Sequence, residues 1–178
     1  MSEGHRLPRL VLLDRDGTLN RKPADGDYVT QVEELELLPG AASAVRRLND
    51  AGIPVAVVTN QRGVALGRIE ASELERIHAA LAVSLARDGA HLDAIYHCPH
   101  EHGECQCRKP QPGLLLRAGV DFQVPLGDAV MVGDSDSDVE AGRRAGALTV
   151  QLVQPGASSL ADLAAPDLIS AVDLVLSR

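Results

Sequence analysis

Two aspartates two residues apart, Asp14 and Asp16, close an apolar run and precede Gly17 and Thr18 in the stretch LVLLDRDGTLN over residues 10–20. Carboxylates at that spacing suit a division of labour in which one attacks an electrophile and the other moves a proton. A solvated Asp-Gly turn is the bland alternative. Other stretches supply complementary chemistry: Thr59-Asn60 ends a second apolar run, Lys109 precedes Pro110, and Asp134 ends another run with Asp136 and Asp138 just beyond it. Together these residue types suit phosphoryl transfer. Asp14, the first residue past its run, is the candidate nucleophile, and Asp16 is the candidate acid that protonates a leaving alkoxide and then activates water. The Thr59 hydroxyl and the Lys109 ammonium suit the phosphoryl oxygens. Clustered carboxylates repel one another, and Asp14 and Asp134 offer the hard oxygens that fit Mg²⁺.

A second constellation lies in HCPHEHGECQC, residues 97–107. Cys98, His100, Cys105 and Cys107 make a four-ligand set of the kind that holds structural Zn²⁺. His97 and His102 are the reserve candidates for that set, otherwise expected as exposed loop histidines. A metal-free reduced loop is the alternative, and a redox role is disfavoured because Cys105 and Cys107 lack the usual Cys-x-x-Cys spacing. Four metal bonds would fix a polar loop with little apolar surface and, with it, Arg108 and Lys109.

The elements that must position these groups follow from the apolar pattern. Residues 10–13, 54–58, 92–96, 129–132 and 148–153 read as strands, the first apolar throughout as in a strand buried on both faces. Residues 41–51, 70–88, 113–119 and 139–145 read as helices, several stopped by glycine. On the helix of 70–88, Leu74, Ile77, His78, Leu81, Val83 and Leu85 keep near-helical spacing, with His78 expected at the helix surface or boundary rather than as a ligand. The tail, 155–178, suggests a short helix, a brief strand near Leu168-Ile169 and a final helix. Alternating strands and helices predict an α/β fold with a mainly parallel sheet between helical layers. In such sheets ligands bind beyond the carboxyl ends of the strands, where the polar clusters fall.

The 178 residues fit one domain, 1–178, without repeat or linker. Hydrophobic residues are 45% of the chain but aromatics only 2%, so the core is aliphatic. A net charge of −8 argues against a nucleic-acid partner. The few focused cations, Arg62, Arg68, Arg108 and Lys109, suit a small anionic substrate. No stretch approaches the roughly 18 apolar residues that span a bilayer. No leader is visible, so the expectation is a cytoplasmic protein with no membrane partner. An odd number of clustered cysteines agrees with metal binding there.

DRDGT, the strand-terminal Thr59, Lys109 and the Gly133-Asp134…Asp138 pattern resemble the four motifs of the haloacid dehalogenase (HAD) superfamily. The resemblance covers residues 10–153. It implies a Rossmann-like three-layer core, an Asp14 nucleophile and Mg²⁺ held by Asp14, Asp16 and Asp134. CPH…CxCRKPxPG, Gly26-Asp27-Tyr28-Val29 and Thr59-Asn60-Gln61 further resemble the zinc-loop branch that includes heptose bisphosphate and histidinol-phosphate phosphatases. That branch is largely capless and usually monomeric. It implies a phosphomonoester hydrolase acting on a small phosphorylated metabolite, first a heptose 1,7-bisphosphate and alternatively histidinol phosphate. It places Arg108 on the substrate and Asn20 near the site, and it suggests Asn60, Gln61 and Arg62 as further substrate contacts. The chain departs from the branch at Leu66, where arginine is frequent, and at Ser135, where lysine is. A zinc-stabilised binding module without catalysis is the reading from another class; it would lack the nucleophile or the acid, and both are present.

Overall fold

A computed structural model describes residues 7–178. Six strands form one sheet, β1 (Leu10–Leu13), β2 (Val55–Asn60), β3 (Ala94–Cys98), β4 (Ala129–Gly133), β5 (Leu148–Leu152) and β6 (Leu163–Ala165). Their order is β3-β2-β1-β4-β5-β6, and every pairing is parallel. Helices α1 (Ala41–Asp50), α2 (Ala71–Ala86), α3 (Gly113–Asp121), α4 (Asp136–Ala145) and α5 (Leu168–Leu176) complete the fold.

The sheet divides two aliphatic cores. Val11, Leu13, Val55 and Val57 face α1, α2 and α5, whereas Leu10, Leu12, Ala56 and Val58 face α3 and α4. Every residue of β1 is fully buried, which accounts for its unbroken apolar sequence. The chain runs outward from β1 through β2 to β3, then crosses to the other side of β1 and continues through β4, β5 and β6. The order therefore reverses between β1 and β4, the crevice where this topology binds ligands. Leu13 pairs with Val132, and the Asp14 amide donates to the Val132 carbonyl at 2.9 Å. That register sets Asp14 beside Gly133-Asp134.

Several expected boundaries shift for identifiable reasons. β2 runs on through Thr59 and Asn60, and β3 through His97 and Cys98, because these residues pair with each other. α4 begins at Asp136 rather than 139, set by a capping box between Ser135 and Asp138. The strand expected near Leu168-Ile169 lies earlier, at Leu163–Ala165. Leu168 instead opens α5, whose cap Asp167 accepts from the Ser170 amide at 2.8 Å. On α2 the inward stripe is Leu74, Ile77, His78, Leu81 and Leu85. His78 lies inside the surface or boundary position expected of it, and Val83 is 56% exposed because it falls off the helical phase of the others. No helix among the described residues is long and apolar enough to cross a membrane.

Candidate active site and cysteine cluster

Asp14 leaves the end of β1 and meets Lys109 from the loop after β3. The Lys109 ammonium donates to Asp14 Oδ1 at 2.7 Å and to the Val58 carbonyl at 2.7 Å, and pairs with Asp138 Oδ1 at 2.6 Å. It is buried, yet the two carboxylates outweigh the cost of burial and raise its pKa above the usual lysine value. Burial works the other way on Asp14, pushing its pKa up to about 7 against the pull of Lys109, with Asp138 adding repulsion. Asn60 fixes the lysine's backbone, donating to the Lys109 carbonyl and accepting from its amide, each at 3.0 Å.

Asp134 and Asp138 come from β4 and α4. Their carboxylates and that of Asp14 bring ligand oxygens within 4.8 Å of one another. Asp138 Oδ2 accepts from the Ser135 amide at 3.0 Å and its hydroxyl at 2.7 Å, so the helix cap also aims the carboxylate at Lys109. Two glycines permit this crowding. A Cβ at Gly17, which has a φ of +89°, would strike the Asp134 carboxylate, and one at Gly133 would strike Asp138. Lys22, from the loop after β1, pairs with Asp134 Oδ2 at 2.6 Å. Asp134 Oδ1 is buried without a hydrogen-bond partner. Burial raises the Asp134 pKa, and Lys22 opposes it. A cluster of three carboxylates with one orphaned oxygen fits a hard divalent cation.

Asp16 turns away from that cluster. Arg15, fully buried, grips it with Nε at 3.2 Å and Nη2 at 3.0 Å. Asn20 Nδ2 donates to Asp16 Oδ1 at 2.8 Å and Gln61 Nε2 to Oδ2 at 2.9 Å. The expectation of an Asp16 carboxylate among the metal ligands is thus corrected. Its oxygens are held by Arg15, Asn20 and Gln61 while part of the carboxylate stays open to the cleft, and among the described residues the carboxylates that gather are those of Asp14, Asp134 and Asp138. Gln61 also donates to Thr59 Oγ1 at 2.9 Å, which leaves the hydroxyl proton free for another acceptor.

Asp14, Asp16, Thr59, Asn60, Arg108, Lys109, Asp134 and Asp138 line one cleft of about 290 Å³. The loop 22–28 covers it, and a second cleft of about 430 Å³ shares Lys22, Pro23, Ala24, Asp27 and Tyr28 with it. Three expected substrate contacts do not reach the cleft. Asn20 and Gln61 are fully buried behind Asp16, and Arg62 is paired with Glu101 at 2.6 Å. Arg15 and Lys22 were not marked by residue type or spacing in the sequence. Asp138 was singled out there beside Asp134, but not as a partner of Lys109; the Ser-x-x-Asp spacing of a helix cap is the signal that would have aimed it.

The cysteine cluster assembles as expected. Cys98, His100, Cys105 and Cys107 bring their ligand atoms within 4.8 Å of one another. Cys98 Sγ lies 3.5 Å from His100 Nδ1 and 3.5 Å from Cys105 Sγ, while Cys107 Sγ lies 3.3 Å from His100 Nδ1 and 3.2 Å from Cys105 Sγ. Bonds of about 2.0–2.3 Å to a tetrahedral zinc call for edges of similar length. Although burial opposes it, donors from Cys107, the Arg108 amide and Cys98 lower the Cys105 thiol to about 6. The Arg108 amide reaches Cys105 Sγ at 3.3 Å, so the cluster holds the residue that turns into the cleft. His97 lies on β3, not in the loop, and His102 accepts from Arg108 Nε at 3.3 Å.

A sequence profile described as HAD-hydrolase-like matches residues 106–177. With an Asp14–Lys109–Asp138 cluster at the switch point of a 3-2-1-4-5-6 sheet, the fold and site are those of a HAD phosphatase. The D-glycero-β-D-manno-heptose-1,7-bisphosphate 7-phosphatase of Pseudomonas putida is 41% identical over 150 residues, covering 83% of each chain. The D-glycero-α-D-manno-heptose-1,7-bisphosphate 7-phosphatase of Mycobacterium bovis is 43% identical over 134 residues, covering 73% of this chain and 69% of that one. Among solved structures, the B. bronchiseptica D,D-heptose 1,7-bisphosphate phosphatase complexed with magnesium and phosphate superposes with a TM-score of 0.86 at 32% identity, over 95% of this chain and 98% of that one. The chain belongs to the heptose-1,7-bisphosphate 7-phosphatase family of HAD phosphatases.

Proposed function

We propose that the protein is a Mg²⁺-dependent phosphatase that removes the 7-phosphate from a D-glycero-D-manno-heptose 1,7-bisphosphate through an aspartyl-phosphate on Asp14. The observation that carries this reading is the convergence of Asp14, Lys109, Asp134 and Asp138 on one cleft with the Thr59 hydroxyl. Asp14 Oδ attacks phosphorus as the bond to the sugar oxygen breaks, and Asp16 protonates that oxygen. Asp16 then takes a proton from water, which attacks the phosphoaspartate and frees Asp14 and inorganic phosphate. Its three protein donors keep Asp16 aimed through both halves. Lys109 and the Thr59 hydroxyl neutralise and hold the phosphoryl oxygens.

The orphaned oxygen of Asp134 and its two neighbouring carboxylates suit Mg²⁺, which Asp14, Asp134 and Asp138 would hold. Bound there, the ion supplies charge neutralisation and polarises the phosphoryl group. Lys22 is half-exposed and stands against Asp134 as a monovalent counter-ion that can swing aside. Zn²⁺ on Cys98, His100, Cys105 and Cys107 serves structure, with all four positions taken by protein. Arg108 Nη1 is buried without a hydrogen-bond partner beside the cleft, which suits a second anionic group such as the 1-phosphate. The chain works as one domain, a monomer in a reducing, cytoplasmic compartment that suits three free thiols.

Phosphate release from the α and β heptose bisphosphates and from histidinol phosphate, with Mg²⁺ supplied, tests the assignment. The expected result is a much larger kcat/KM for one heptose anomer. Faster turnover of histidinol phosphate would remove the sugar from the proposal.

A further inference from the structure

A third cluster of ligating side chains lies outside both sites. Glu75 and His78 are three residues apart on α2 and so stack on one side of that helix. His97 belongs to β3, paired with Thr59 of β2. One ligand atom from each of Glu75, His78 and His97 falls within 4.8 Å of the others. The His78 and His97 ring centroids are 5.5 Å apart and tilted by 55°, so the rings are not stacked face to face. His78 is only 6% exposed, and its Nε2 is buried without a hydrogen-bond partner. A buried imidazole nitrogen left unsatisfied is costly unless something occupies its lone pair.

We propose that Glu75, His78 and His97 form a further divalent transition-metal site, one that clamps α2 to the end of β3. Two imidazoles and one carboxylate are the donors of Zn²⁺, Co²⁺ or Ni²⁺ rather than of Mg²⁺, which prefers oxygen alone. A Glu-x-x-His pair on one helix is a recurrent way to present such donors. Glu75 is exposed, which leaves the ion a path from solvent and a position open to water. The Arg15 charge reaches both rings, with Nε and Nη2 on Asp16 and Nη1 buried without a partner; the Asp16 carboxylate opposes it at His78 and the Glu75 carboxylate at His97. Successive residues of a strand face opposite sides, so His97 looks toward α2 while Cys98 packs in the core under α3. A metal on each side of this strand end would brace the base of the loop that carries Arg108 and Lys109 from both faces.

The test is zinc content. Full-length protein stripped with chelator is equilibrated with excess Zn²⁺ in millimolar Mg²⁺, passed through a desalting column and assayed by mass spectrometry. Wild type should hold one zinc per chain more than Glu75→Ala or His78→Gln, and added zinc should raise its melting temperature further than theirs. Glu75 is on the surface, so Glu75→Ala decides the matter should His78→Gln fold poorly. Equal zinc content in wild type and Glu75→Ala would overturn the proposal, as binding confined to the cysteine cluster or the strand-end carboxylates would give.

Discussion

Lys109 is the residue on which the candidate site balances. Its ammonium sits between Asp14 and Asp138 with both contacts under 2.8 Å, all three groups buried. Removing one member of a buried ion cluster leaves uncompensated charge and typically costs about 3–5 kcal/mol. Lys109→Met should therefore lower stability by about that much in urea denaturation without metal, and cut kcat at least about 10²-fold, since a fixed cation on the phosphoryl group is lost. The Asp14 carboxyl gives a second prediction. It titrates near 3.8 when unfolded and is raised to about 7 in the fold, so the native state holds this proton more tightly. Without metal, Asp14 thus makes stability fall as pH rises from about 4 to 7, and Asp14→Asn should flatten that part of the slope. Because a cation must displace the same proton, Mg²⁺ affinity should strengthen as pH climbs toward 7 and level off above it. Calorimetric titration at several pH values checks the sign. At this scale DRDGT, Thr59 and Asp134 were legible because strand ends and residue type suffice to find them, and Lys109 because it is a cation directly before Pro110 in the loop between two strands. The direction of Asp16 was not, because it depends on Arg15, Asn20 and Gln61, which converge only when the chain folds.

Among the elements, α4 and the cysteine loop each couple a local structural device to the cleft. The Ser135–Asp138 capping box starts α4 and aims the Asp138 carboxylate in the same set of bonds. Ser135→Ala should cost about 1 kcal/mol as a lost cap. It should also lower kcat, since Asp138 is freed to drift from Lys109; an unchanged kcat would separate the cap from the site. Cys105 Sγ is within hydrogen-bonding distance of the Cys98 and Cys107 thiols and accepts from the Arg108 amide. Cys105→Ser should lower the zinc that the loop can bind and raise KM more than it lowers kcat, because Arg108 loses its support while Asp14 does not. The four side chains that cluster in the cysteine loop were plain from spacing. The start of α4 was not, because Asp136 and Asp138 read equally well as a strand-end loop until Ser135 is seen to cap them. Nor was the extent of β3, which depends on His97 and Cys98 finding partners in β2.

For the whole molecule, the reversal of strand order between β1 and β4 brings residues about 120 positions apart, Asp14 and Asp134, to one crevice. The alternation of apolar runs and amphipathic segments was enough to read a parallel α/β sheet. The tail was misread because Leu168-Ile169 is equally apolar at a strand or a helix start, and only the Asp167 cap decides. The cleft depends on the rigidity of the sheet behind it. Leu12, fully buried in the middle of β1, should cost about 2–5 kcal/mol when replaced by alanine. The proposed chemistry turns on covalent phosphoryl transfer to Asp14. The direct measurement is mass spectrometry of peptides from protein acid-quenched during turnover of heptose 1,7-bisphosphate with Mg²⁺. One phosphoryl group should appear on the peptide containing Asp14 and vanish in Asp14→Asn, together with phosphate release. A phosphoryl group on any other residue, or an Asp14→Asn variant that turns over substrate at the wild-type rate, would contradict it.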